Sequence, residues 1–387
     1  MDNFKFTCKT EVHFGKDEHL KVGDYIKPFG KKVLIHYDGN RIETNGLLDA
    51  VTHSLKTNGI EYVTLNNVVP NPLLSGVKEG VQMCREIGVD FILAIGGGSV
   101  IDSAKTIAMG VLHQGDVWNF FTGSETPSQV LPVGVILTIC GSGSEMSESA
   151  IITHDELKLK KGVDNSQLFP RFAILNPELT YSLPKPLLAS GIADAMSHTL
   201  ERYFTTTECS LLNDYMMEGL LKMLLAISPA LMEDHTNYDL MAEYMWAATI
   251  CHNGLFDTGR SSDWASHRIE HEISGLYNIT HGAGMAIIFP AWMHYLIENN
   301  KLERLVRLAE NVFGVQKGNP EEKAQAAING FVQAFKAMNL STSLTESNIP
   351  INEFDKVAIQ ALNGNETLGR YIQLARKDII RVLEIAA

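Results

Sequence analysis

The chain has 387 residues, 45% of them hydrophobic, which is ample for a large core and suggests two domains. A formal net charge of −13 argues against a nucleic-acid partner, because neutralising phosphates takes a basic face. Five cysteines (Cys8, Cys84, Cys140, Cys209 and Cys251) are scattered without CxxC spacing, which suits reduced thiols in a cytoplasm better than a disulfide framework or a thiolate metal site.

In chain order, MDNFKFTCKTEVHF has no basic stretch leading into an apolar one, so no secretory signal is expected. KKVLIHY reads as a first strand that stops at Asp38-Gly39. TNGLLDAVTHSLKTNG has helical spacing and a glycine stop, and EYVTLNNV reads as a second strand. LLSGVKEGVQMCREIG places Val77, Val81 and Cys84 on one helical face. DFILAI is almost wholly apolar, as in a parallel sheet covered on both faces. GGGSVIDSAK then opens another helix, and PVGVILTI is a fourth strand. Runs such as VGVILTIC fall far short of the ~20 apolar residues that span a bilayer, so no membrane association is expected. SAIITHDELKLKKG looks like a hairpin or loop excursion, and RFAIL a further strand. Past Leu183-Pro184-Lys185-Pro186 the pattern turns helical, as in LLNDYMMEGLLKMLLAISPAL, NKLERLVRLAENVFG and the terminal RYIQLARKDIIRVLEIAA. The expected architecture is an α/β dinucleotide-binding domain with a parallel sheet over residues 1–185, followed by an all-helical domain over 186–387 that binds metal and substrate.

Gly96-Gly97-Gly98-Ser99 follows the third strand. Glycines there let backbone N–H groups approach an anion at a helix N-terminus, although the same residues also make a plain strand-to-helix turn. GxGxxG fails at Ile101. Asp38 ends the first strand, where a carboxylate can bond ribose hydroxyls and repel a 2′-phosphate, or simply serve a turn. A second small-residue turn, Cys140-Gly141-Ser142-Gly143-Ser144-Glu145, can serve the same phosphates, and Lys160 can neutralise their charge.

GIADAMSHTLERYF carries Asp194 and His198 at i and i+4, on one face of a helix. His267 and His271 repeat that spacing in DWASHRIEHE, and His281 follows in Thr280-His281-Gly282-Ala283-Gly284. Each histidine alone reads as a hydrogen-bonded core residue. Together, three imidazoles and one carboxylate suit zinc or ferrous iron. HExxH is absent, so the cluster is not of the zincin type. The remaining histidines are read as surface or packing residues.

These segments resemble the iron-containing (group III) alcohol dehydrogenase family over nearly the whole chain, and within it the butanol-dehydrogenase branch, whose members reduce small aldehydes. GGGSVIDSAK resembles the family's GGGSxxDxxK phosphate loop and CGSGSEMSESAII its second nucleotide loop. RFAILNPELTYSLP resembles the close of its nucleotide domain. GIADAMSHTLERYF and SHRIEHEISGLYNITHGAG resemble its metal-binding segments. The resemblance implies metal ligands Asp194, His198, His267 and His281. It places His271 beside the nicotinamide and not among the ligands, and an imidazole there is the candidate proton relay. It implies nucleotide contacts at Gly97, Gly98, Ser99, Thr138, Ser142 and Lys160. Members of the branch that use NADPH carry glycines where this chain has Tyr37-Asp38-Gly39, so Asp38 favours NADH. The expectation is a cytoplasmic, homodimeric, metal-dependent NAD(P)H alcohol dehydrogenase or aldehyde reductase acting on short-chain substrates such as butanol and butanal, with Fe2+ ahead of Zn2+. Two rival readings are a glycerol dehydrogenase-like polyol oxidoreductase and a non-catalytic nucleotide-binding sensor on the same fold.

Overall fold

The computed structural model describes residues 1–350 and 352–387. The chain divides into Thr7–Leu183 and a second unit of Pro184–Ala387 that also takes in Met1–Phe6. Asp2 ties the N-terminus into the second unit. Its N–H donates to Gly259 O (2.9 Å), and its carboxylate accepts from Thr207 Oγ1 (2.9 Å).

In the first unit, six strands form a parallel sheet in the order β1-β8-β5-β4-β2-β3. They are β1 (Glu11–Phe14), β2 (Lys32–Asp38), β3 (Glu61–Val68), β4 (Phe91–Gly96), β5 (Val133–Leu137) and β8 (Phe172–Leu175). The excursion between β5 and β8 is a hairpin, with β6 (Ser149–His154) antiparallel to β7 (Leu159–Asp164). The helices are α1 (Val22–Ile26), α2 (Arg41–Thr44), α3 (Leu47–Thr57), α4 (Leu74–Ile87), α5 (Gly98–Val111) and α6 (Trp118–Thr122).

Alternation along the strands sorts the two faces of the sheet. Val33, Ile35 and Tyr37 of β2 and Phe91, Leu93 and Ile95 of β4 share a core with Val22 and Ile26 of α1 and Val51 and Leu55 of α3. The residue between Ile35 and Tyr37, His36, turns the other way, and its ring reaches Ser103 Oγ on α5 (2.8 Å). All six residues of β4 are buried, as its apolar run requires. The edge strand β1 is not apparent from sequence. EVHF is short and polar, and only its pairing with β8, Glu11 opposite Phe172 through Phe14 opposite Leu175, makes it a strand.

The chain leaves β2 for β3 on one side and then crosses to β4 on the other. Strand order therefore reverses between β2 and β4, the place where an open parallel sheet makes a ligand crevice at the strands' C-terminal ends. Asp38 ends β2 and Gly96 ends β4.

The second unit contains α7 (Lys185–Tyr203), α8 (Leu211–Glu233), α9 (Tyr238–Ile250), α10 (Ala265–Tyr277), α11 (His281–Glu298), α12 (Glu303–Asn311), α13 (Pro320–Ala337), α14 (Phe354–Leu362) and α15 (Arg376–Ala386). Helix α11 packs on α7, α10, α13 and α15. By length and composition α8 could cross a bilayer, a feature the shorter apolar runs do not show. Its Asp214 and Glu218 are nonetheless buried and paired. Asp214 Oδ1 meets Arg260 (2.5 Å) and Arg304 (2.8 Å), and Glu218 Oε1 meets Arg307 (2.5 Å). That pairing seats one face of α8 against neighbouring protein. The terminal helix begins only at Arg376. Asp263 Oδ1 accepts the N–H groups of Arg370 and Tyr371 (2.6 Å each), holding the preceding segment in another conformation.

Candidate metal centre and nucleotide loops

Helix α7 starts at the Pro184-Lys185-Pro186 boundary, where proline suits a first helical turn. From Leu188 to Tyr203 every residue is buried, so its polar side chains have little access to bulk water. Asp194 and His198 share one face. His198 Nδ1 lies 3.3 Å from Asp194 Oδ1 but has no hydrogen-bond partner. Helix α10 contributes buried His267, and half-buried His281 is the first residue of α11. His281 Nε2 is 3.6 Å from Asp194 Oδ1. Ligand atoms of Asp194, His267 and His281 all lie within 4.8 Å of one another. The His198 ring is 4.7 Å from that of His267 and 6.5 Å from that of His281. Three helices thus bring together the carboxylate and the three imidazoles.

Glycines let the helices approach this closely. A Cβ on Gly282 would strike the carbonyl of Ser190 on α7, and one on Gly284 would strike the Glu270 carboxylate. Two carboxylates, both fully buried, then orient the imidazoles. Glu201 Oε1 pairs with His267 Nδ1 (2.8 Å) and accepts the His267 N–H (3.0 Å), while Oε2 accepts the Trp264 N–H (2.6 Å). Glu270 Oε2 bonds His281 Nδ1. Each carboxylate places a proton on Nδ1 and leaves Nε2 with its lone pair, the arrangement that outer carboxylates give metal-binding histidines. His267 Nε2 is buried and has no hydrogen-bond partner. Burial, then the neighbouring imidazoles of His252 and His267, pushes His198 well below its ordinary value, so it is neutral at pH 7. Buried nitrogens of His198 and His267 that lack hydrogen-bond partners, gathered round a carboxylate, are costly as they stand and fit a divalent cation.

Sequence reasoning missed both orienting carboxylates, although spacing offered a signal. Glu201 is i+7 from Asp194, and Glu270 is i+3 from His267. It also missed His252, whose ring stands 4.3 Å from that of His198 and is not the uninvolved packing histidine expected. His271 is half-buried, with its ring 5.2 Å from His281 and 6.4 Å from His267. It groups with Glu270 and His281, outside the set centred on Asp194.

In the first unit, Gly97 caps α5 with φ −101°, so these glycines are not needed for a left-handed backbone. They are needed for close approach. A Cβ on Gly97 would sit 2.7 Å from Ile139 Cβ, and one on Gly98 would sit 2.5 Å from Ser142 Oγ. The first N–H groups of α5, at Gly98 and Ser99, lack partners within the helix and carry its positive end. Thr138 joins the two loops, donating its N–H to Gly96 O (3.0 Å). Asp38 is half-buried, next to left-handed Gly39 (φ 54°). Buried Lys160 donates to Asn71 Oδ1 (2.9 Å). The aspartate and lysine of GGGSVIDSAK fasten the second loop. Fully buried Lys105 donates to the carbonyls of Ser144 (2.7 Å), Ser147 (2.9 Å) and Ser149 (2.8 Å). Asp102 accepts from Ser144 Oγ (2.6 Å) and the Ile151 N–H (3.1 Å). Burial lowers Lys105 to about 8 and raises Asp102.

The chain matches two family models, iron-containing alcohol dehydrogenase over residues 9–177 and the C-terminal domain of the Fe-containing alcohol dehydrogenase family over residues 188–387. It is 37% identical to the NADH-dependent butanol dehydrogenase A of Clostridium acetobutylicum over 99% of both chains. It is 33% identical to the NADPH-dependent aldehyde reductase YqhD of Escherichia coli over 89% of both. Among solved structures, the NADH-dependent butanol dehydrogenase A of Thermotoga maritima superposes with a TM-score of 0.96 at 38% identity, covering 100% of this chain and 99% of that one. On family models that cover both of its units and on relatives similar along its full length, this chain belongs to the iron-containing alcohol dehydrogenase family.

Proposed function

We infer that the chain is a metal-dependent NAD(P)H alcohol dehydrogenase and aldehyde reductase, acting on short-chain alcohols or aldehydes such as butanol and butanal. One observation carries this reading: a buried Asp194 carboxylate surrounded by His198, His267 and His281, with His267 Nε2 left without a partner. Asp194, His198, His267 and His281 would hold the ion, Fe2+ ahead of Zn2+ in keeping with the family. Once bound, the ion supplies Lewis acidity at the substrate oxygen, and the nicotinamide supplies or accepts the hydride. Gly97, Gly98, Ser99, Thr138, Ser142 and Lys160 contact the nucleotide. His271 moves the proton, since an imidazole titrates near working pH and this one stands apart from the Asp194 set. Asp38 selects NADH by repelling a 2′-phosphate. The relatives named NADH-dependent butanol dehydrogenases, at 36–37% identity over nearly the whole chain, support that preference. A cytoplasmic homodimer, with residues 1–185 serving the nucleotide and 186–387 the metal and substrate, completes the proposal.

The test compares two variants for bound metal and for NADH oxidation with butanal. Asp194→Ala loses metal and turnover together, whereas His271→Ala keeps its metal and loses rate by about 10²-fold or more. An active, metal-free Asp194→Ala variant would overturn the metal reading. Metal loss in His271→Ala would make His271 a ligand.

A further inference from the structure

β2, β4 and β5 lie side by side in that order. A group reaching from the C-terminal end of β2 to that of β5 therefore passes across the end of β4. Arg41 does this. It opens α2, just beyond β2, and its Nη2 donates to Thr138 Oγ1 (3.0 Å), just beyond β5. Thr138 in turn is bound to Gly96 O at the end of β4. Arg41 thus spans the turn from which α5 presents its first N–H groups. Its Nη1 is buried and has no hydrogen-bond partner. A guanidinium carries five donors in a planar fork, always charged, and a buried donor without an acceptor is destabilising. Lys105, by contrast, is bound to the carbonyls of Ser144, Ser147 and Ser149, and Lys160 donates to Asn71.

Resting on the nucleotide-binding reading above, we propose that Arg41 grips the diphosphate of the dinucleotide from the side opposite the α5 N-terminus. The loop N–H groups supply neutral donors, and Arg41 supplies the counter-charge that they lack. Asp38, on the same connection, disfavours an additional phosphate on the adenosine ribose. The partner of Arg41 is therefore the diphosphate shared by NADH and NADPH, and not the 2′-phosphate that separates them.

Calorimetric affinities for adenosine, ADP, NADH and NADPH test this in the wild type, Arg41→Lys, Arg41→Gln and Arg41→Met. Arg41→Met is expected to weaken ADP, NADH and NADPH by a common factor of about 10 to 100, the loss of a charge-assisted pair. Adenosine affinity stays unchanged and reports an intact fold. Arg41→Gln, which keeps a donor for Thr138 without the charge, loses nearly as much, and Arg41→Lys recovers part of the affinity. Unchanged ADP and NADH affinity in variants of a wild type that binds both overturns the assignment, as does a loss confined to NADPH. A wild type that binds neither ADP nor NADH overturns the nucleotide reading itself, and Arg41 with it.

Discussion

The loops at the ends of β4 and β5 offer mainly backbone N–H groups, whereas the cluster on α7, α10 and α11 offers side chains. The first arrangement is local. Glycines let two turns pack together, and Lys105 and Asp102 fasten the second turn through its own carbonyls and N–H groups. The second depends on three helices docking within a side chain's length, with His267 and His281 then held by Glu201 and Glu270. A backbone site tolerates changes in its surroundings that a side-chain site does not, because its donors are fixed by helix geometry rather than by rotamers.

The difference can be tested from either side. Glu201→Gln keeps the size of the side chain but removes the charge that orients His267, so metal affinity, read by chelator competition, falls by about 10- to 100-fold. ADP binding by the same variant is unchanged. Equal metal affinity in variant and wild type would show that Glu201 only supports the fold. Two glycine substitutions contrast the regions next. In Gly282→Ala the new methyl meets the Ser190 backbone, which cannot yield, so thermal stability falls by about 1–3 kcal/mol and metal content drops. In Gly98→Ala the methyl meets both Oγ and Cβ of Ser142, so the second loop must shift and nucleotide affinity falls while metal content holds. A Gly98→Ala variant that lost its metal would break the distinction.

A smaller effect is expected at Asp38. Asp38→Gly shifts the NADPH-to-NADH ratio of kcat/KM upward by about tenfold, worth roughly 1.4 kcal/mol. An unmoved ratio would make Asp38 a turn residue. The remaining effect concerns pH. Burial, then the Glu201 charge, raises the Asp263 carboxyl from 3.8 to about 6. A raised carboxyl favours the folded state in its protonated form, so its contribution to stability is greatest below about pH 4. It declines between about 4 and 6 and is level above. Asp263→Asn removes that decline, a change of up to about 3 kcal/mol visible as flatter denaturation midpoints across the window. An unaltered slope would place the titration on another group.

How much of this was legible in sequence follows from how local each feature is. β2, β3 and β4 are continuous β-rich runs ended by turns, and periodicity alone finds them. Asp194 and His198 stand out because i and i+4 positions share a face within one helix. β1 exists only because β8 lies beside it, and α15 starts late because Asp263 captures Arg370 and Tyr371 from far along the chain. Glu201 orienting His267, and His252 against His198, also join residues distant in sequence. Arg41 hid for the same reason: nothing in Asn40-Arg41-Ile42 says that its side chain reaches Thr138. The GGGSVIDSAK segment shows the limit most clearly, since its glycines mark the turn but only the fold shows that Asp102 and Lys105 serve the second loop.

On the function proposed above, nicotinamide-linked turnover would require an ion held by Asp194, His198, His267 and His281. The most direct test of that requirement is NADH oxidation with butanal by protein stripped of metal and reloaded separately with Fe2+ or Zn2+. Negligible turnover is expected when stripped, recovery on reloading with Fe2+ ahead of Zn2+, and a faster rate with NADH than with NADPH. Full turnover by the stripped enzyme, or none with either metal while NADH still binds tightly, would contradict it.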